Sequence, residues 1–161
     1  MANPLLQDLV ATLERARDRF TYGLDQVPDD RLEWTPGGST KNSLALAGRL
    51  VGFLSFMAGA LGTGMMPERP AGGFPPPPAT REAARAAVEA AYNSLIEAVR
   101  GLSDEDLAKE LPAPWGTSHR VGQWLWFVSG VVGYGQGQLN YLQLAYGDED
   151  PNIPPSWKAA G

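Results

Sequence analysis

Apolar residues recur at helical spacing in four long stretches of the 161-residue chain. In the first, Leu5, Leu6, Leu9, Val10, Leu13, Ala16, Phe20 and Leu24 share one face, while Asp8, Glu14, Arg15 and Asp18 fall mostly elsewhere. That spacing predicts an amphipathic helix from about Pro4 to Leu24, with Pro4 suited to its first turn. The second stretch, Lys41 to Leu61, follows the turn Gly37-Gly38-Ser39-Thr40, which is expected to supply its N-cap. After Lys41 its only charge is Arg49. The third, Arg81 to Arg100, is expected to be capped by Thr80, with Glu82 in the first turn and Gly101 as the stop. Its stripe is Ala84, Val88, Ala91, Tyr92, Leu95 and Val99. The fourth runs from about Arg120 to Tyr146, and Gly147 ends it.

The connections are equally patterned. Ser103-Asp-Glu-Asp106 has the form of a capping box with Asp in place of Glu, and predicts a short helical turn. Pro28-Asp-Asp-Arg-Leu32 with Trp34 follows the first helix much as Ser103 to Leu107 with Trp115 follows the third. Each half thus reads as a long helix, an acidic turn, a Trp-bearing loop and a second long helix. Between the halves lies GTGMMPERPAGGFPPPPAT, where Pro75 to Pro78 favour a stiff extended strap. The stretch PAPWGTSH reads as a loop, and the tail DEDPNIPPSWKAAG as irregular, folded back through Ile153 and Trp157. The expected architecture is one all-α domain over residues 1–161: a four-helix bundle of two helical hairpins joined by a long Pro-rich crossover.

Composition narrows the function. The net charge of −5 disfavours nucleic acid and anionic membranes as partners. There is no cysteine, hence no disulfide, thiol nucleophile or thiolate metal site. The single histidine, His119, lies beside Thr117 and Ser118, and nothing in the sequence supplies the acid or oxyanion hole of a triad. The acidic runs Asp29-Asp30, Asp104 to Asp106 and Asp148 to Asp150 adjoin helix ends and read as solvated caps. Leu50 to Met66 is uncharged and about as long as a short membrane span, but its glycines and flanking turns favour a buried bundle helix. The start MANPLLQDLV lacks the basic region of a signal peptide, so a cytoplasmic location is expected.

Two segments carry a family resemblance. Val131 to Gln138, within QWLWFVSGVVGYGQGQLNYLQLAYGD, is similar to the last bundle helix of the DinB/YfiT-like family, where the run reads approximately His-x-x-Tyr-His-x-Gly-Gln. Tyr134, Gly137 and Gln138 match, whereas Val131 and Gly135 stand at the two histidine positions. Arg49-Leu50-Val51-Gly52-Phe53-Leu54 resembles the family's His-Leu-x-Gly-Asn-Leu, with Arg49 at the third histidine. KNSLALAGRL and Asn-Ile-Pro in the tail also resemble family features. The resemblance implies a DinB-like bundle in which three histidines hold a divalent metal, and in some members the activation of a thiol such as bacillithiol or mycothiol. None of the three residues here can coordinate: valine and glycine have no lone pair to offer, and arginine stays protonated.

The expected function is therefore non-catalytic and cofactor-free. Three imidazoles become an apolar side chain, a glycine and a guanidinium. Gly135 is expected to clear volume inside the bundle, whereas Gly137 is expected to permit close helix packing. The expected ligand site is a metal-free central cavity formed by Arg49, Phe53, Phe56, Trp124, Phe127, Val128, Val131, Tyr134, Gly135 and Gln138, with Met57 and Leu139 nearby. Arg49, Tyr134 and Gln138 would hold a polar end, with Asp18 or Glu14 as alternative partners for Arg49. The expected partner is a bulky hydrophobic molecule of sterol or secosteroid size, as in a metalloprotein scaffold redesigned for such a ligand. The competing expectations are a metal-dependent thiol transferase or hydrolase with other ligands, and a bundle that serves only as a homodimer.

Overall fold

The computed structural model describes residues 3–68 and 75–157; residues 69–74 of the long loop lie outside them. The expected helices are present: α1 (Pro4–Asp25), α2 (Ser43–Thr63), α3 (Arg81–Arg100), the short α4 (Asp104–Ala108) and α5 (Val121–Ala145). Their caps follow from local chemistry. Asn3 accepts the Leu5 amide, and Thr80 accepts the Ala83 amide at 3.2 Å. At α2 the cap is Asn42, whose side chain accepts the Ala45 amide at 2.8 Å, and not the Gly37–Thr40 turn. Gly64, with φ 69°, ends that helix. The Ser103 box forms in full. Its hydroxyl accepts the Asp106 amide at 3.2 Å, and Asp106 Oδ2 accepts the Ser103 amide at 2.8 Å. Lys109 Nζ lies 2.6 Å from the other Asp106 oxygen. Together these bonds hold the Asp106 carboxyl well below the usual carboxylate range, the lysine contributing most.

One region read as loop is ordered. β1 (Glu110–Pro112) and β2 (Ser118–Arg120) pair antiparallel, Leu111 opposite His119. Gly116, at φ 91°, makes the reversal between them. Three-residue strands, one of them ending in proline, are too short to show a period of two.

Side-chain pairs define the bundle. Glu14, midway along α1, meets Arg100 at the end of α3, and Asp25 at the end of α1 meets Arg85 near the start of α3, so these helices are antiparallel. Leu50 approaches Gly135 and Phe53 approaches Phe127, so α2 and α5 are antiparallel too. The C-terminal ends of α2 and α3 lie together around Leu61 and Leu102, and their N-terminal parts around Gly48 and Ala83. Hence α2 and α3 are parallel, and α1 and α5 point the other way. The principal neighbours are α1–α3, α3–α2, α2–α5 and α5–α1, so α1 and α2 face each other mainly across the diagonal.

Parallel neighbours need a connection that returns the length of a helix. The 21-residue α2 spans ~31 Å. A proline run advances ~3.1 Å per residue and makes that return economically. The strap accordingly reaches back to Gly48, where an added Cβ would lie 3.1 Å from Pro77 Cα.

The core is built from the predicted stripes. Leu13, Phe20 and Leu24 of α1 meet Leu54 and Met57 of α2, Val88, Tyr92 and Leu95 of α3, and Val128 and Leu139 of α5. Each such side chain contributes ~1.5–3 kcal/mol on burial. Helix α2 is long and apolar enough to cross a membrane by length and composition, and 44% of its most apolar window is buried inside the bundle. The tail returns over α1: Arg19 donates to the Pro151 carbonyl at 2.7 Å, and Arg15 lies 6.0 Å from the Trp157 ring centre. Asn152 and Pro154 are buried there, more so than Ile153 and Trp157.

Candidate functional site

The helical stripes bring Leu50 and Phe53 of α2 against Phe127, Val131 and Gly135 of α5, which rise along one side of that helix. The result is a seam at the bundle surface and not a central cavity. Arg49, Phe127 and Tyr134 are exposed, while Phe53, Val131, Gly135 and Gln138 are half-buried. Val128 and Trp124 are buried, Val128 wholly within the core. A Cβ on Gly135 would meet Leu50 Cδ1 at 3.7 Å, an ordinary contact, so the glycine marks neither a void nor a forced approach. Gly137 differs from expectation: among the described residues nothing lies within 4 Å of the Cβ it lacks, so it packs against no other helix of the chain. Its helical position turns it to solvent.

Phe56 borders another space. It lines a cavity of about 510 Å³ between α2, α3 and the strap, with Gly48, Val51, Pro76 and Ala87. A second cavity, of about 440 Å³, lies at the bundle end beside Thr63, Glu97, Asp106 and Lys109.

Arg49 has no salt bridge among the described residues. Glu14 pairs with Arg100 at 2.7 Å and Asp18 with Arg17 at 3.0 Å, so neither acid serves it. Its guanidinium reaches water at the seam, which removes any desolvation cost.

The seam continues into a cluster that the sequence did not reveal. Phe53 meets Phe127 edge-on at 5.8 Å, and Phe127 meets Trp124 at 5.6 Å. Trp124 meets Trp115 at 5.6 Å and His119 at 5.8 Å. The hairpin places Trp115 and His119 here, although they precede α5 in the chain. Trp124 Nε1 reaches the Leu111 carbonyl at 3.4 Å, tying the cluster to β1. His119 Nε2 lies 2.9 Å from Thr117 Oγ1, and no carboxylate orients the ring among the described residues. Trp115 is 61% exposed and Phe127 47%, so the cluster is open to solvent at these two rings, above the buried Trp124.

A transition metal does not fit the seam. Arg49, Val131 and Gly135 offer no lone pair, and a fixed cation stands at the first of these positions. Among the described residues no group of three or more His, Asp or Glu side chains could hold an ion.

The DinB superfamily model matches residues 12–130, most of the chain. The chain belongs to the DinB superfamily. It is similar in fold to a DinB-like protein from Bacillus subtilis, with a TM-score of 0.72 over 91% of this chain and 96% of that one. Identity there is 13%, so the likeness concerns the fold alone. No curated protein matches.

Proposed function

We propose that the chain binds a bulky, apolar, polycyclic small molecule along the aromatic seam between α2 and α5, without a metal and without catalysis. The observation that carries this is the run Phe53–Phe127–Trp124–Trp115, open to solvent at Phe127 and Trp115, beside three positions that cannot coordinate. Flat ring faces favour a flat apolar ligand by burial and offset stacking. Arg49 stands at one end of the seam, where it donates to a hydroxyl or carbonyl of the ligand. Tyr134 and Gln138 line the same rim. A seam covers one face of a ligand where an enclosed pocket covers most of it, so micromolar affinity is expected.

Tryptophan emission tests this, because Trp115 and Trp124 form the floor. Titration with a panel of sterols and polycyclic aromatics should change emission and depend little on salt. Phe127→Ala should weaken the response at least several-fold. Unchanged emission across the panel, with no heat in calorimetry, would remove the reading. Bound stoichiometric zinc, nickel or iron in protein purified without chelator would favour the metal-dependent transferase instead.

A further inference from the structure

Helix α5 carries no charged residue from Val121 to Ala145. One face of it packs on α1 and α2; the opposite face meets no other part of the chain among the described residues. That face holds Trp126, 80% exposed, Tyr134 at its edge, Tyr141 and Leu144. Between them lie Gly130, Gly133 and Gly137, none with any atom within 4 Å of its missing Cβ. The spacing 126, 130, 133, 137, 141, 144 is made of steps of four and three, which keep one face of the helix in line as at the seam of two packed helices. A solvent-facing stripe of this spacing has no role within the bundle. Glycine at three of its positions lowers helix stability by ~1 kcal/mol each relative to alanine.

We propose that this face docks against the same face of a second copy of the chain, the two α5 helices antiparallel about a two-fold axis near Gly133 and Tyr134. The sequence is complementary to itself in that arrangement. Trp126 falls opposite the partner's Tyr141, and Gly130 opposite the partner's Gly137. Gly133 faces the partner's Tyr134. Large side chains thus flank a central gap that small residues let close. The ends agree in charge as well. Arg120 at the start of α5 is brought to the partner's acidic run, Asp148 to Asp150, and the opposed helix dipoles attract. A parallel pair would instead stack Arg120 on Arg120 and acid on acid. The size is sufficient. At ~150–250 Å² per aromatic side chain, the exposed fractions of Trp126, Tyr134 and Tyr141 with Leu144 leave on the order of 500 Å². The glycine backbone and the polar ends raise this toward the ~800 Å² per partner of a standard interface.

Because the chain has no cysteine, an introduced one is the sole thiol, and cross-linking reads the register directly. Sedimentation of the full chain should give twice the monomer mass. Gly133→Cys, near the axis, should form a covalent dimer under mild oxidation. Trp126→Cys alone should not, and Trp126→Cys with Tyr141→Cys should. Gly137→Glu should halve the sedimenting mass while leaving the helical spectrum and thermal melt intact, since the side chain enters open space. A monomer mass at every concentration overturns the proposal, and so does a monomer that co-sediments with neutral phosphatidylcholine vesicles. Equal cross-linking of Trp126→Cys and Gly133→Cys overturns the antiparallel arrangement. A folded Gly137→Glu that stays dimeric places the interface elsewhere.

Discussion

Leu50 on α2 lies against Gly135 on α5, with 3.7 Å between its Cδ1 and the place a glycine Cβ would occupy. The two helices therefore meet at ordinary side-chain distance where the resemblance sets a metal ligand. A methyl group fits here without displacing anything.

Gly135→Ala should accordingly stabilise the fold. Removing a mid-helix glycine gains ~1 kcal/mol, or about 2–4 °C in Tm for a chain of this size. Gly48→Ala is the contrast. Its Cβ would stand 3.1 Å from Pro77 Cα, so the strap must shift, and the gain should shrink or reverse. Thermal melts of both variants check this; equal gains would mean that the strap does not hold its place against α2.

Gln143 ties α5 to α1. Its buried amide donates to the Gly23 carbonyl at 3.1 Å. Gln143→Ala should lower stability by ~1–3 kcal/mol through the lost bond and the space left behind. The carbonyl keeps a second donor, the Gln26 amide at 3.3 Å, which keeps the loss from the upper end of that range. Denaturant unfolding measures it, and a loss below a few tenths of a kcal/mol would contradict the packing described.

Asp106 should make acid stability steeper. Its carboxyl titrates well below the usual range in the folded chain, because Lys109 and Ser103 bond the charged form. A lowered folded value means that its contribution is fully present above the unfolded value, pH ~4, and is lost as pH falls below it. Asp106→Asn should be less stable near neutral pH, and its Tm should fall less steeply below pH ~4. Parallel curves would show that the box adds nothing to stability.

Restoring imidazoles tests the register of the family motif. Arg49→His, Val131→His and Gly135→His combined should create divalent metal binding. Val131 and Gly135 are one turn apart on α5, and Arg49 adjoins Leu50, which touches Gly135. Calorimetric titration with zinc of the folded triple variant reads the outcome. Affinity no better than the parent's would place the motif at other positions.

Much of the fold was legible in the chain because helices announce themselves locally. The stripe of α3 and its Thr80 cap lie within one turn of each other in sequence. The Ser103–Asp106 box is contained in four residues. The approach of α2 to α5 was legible too, through the resemblance, as Phe53 against Phe127 shows. What escaped was relative depth. Val128 and Val131 are equally apolar and three residues apart, yet one is core and the other borders solvent. The difference is set by where α1 and α2 press on α5, which no local pattern encodes.

The sequence by itself determined the helices, the Thr80 and Ser103 caps, the all-α bundle and the residue types at Arg49, Val131 and Gly135. Those follow from periodicity, from side chains that bond their own backbone and from the chemistry of single residues. The tertiary structure alone decided that α2 and α3 run parallel under the proline strap. It also decided that Trp115 and His119 join Phe127, and that Gly130, Gly133 and Gly137 meet no other helix of their own chain among the described residues. Each of these depends on contacts between residues far apart in the chain. Such contacts are selected by the packing of the whole bundle, and no short stretch of sequence carries them.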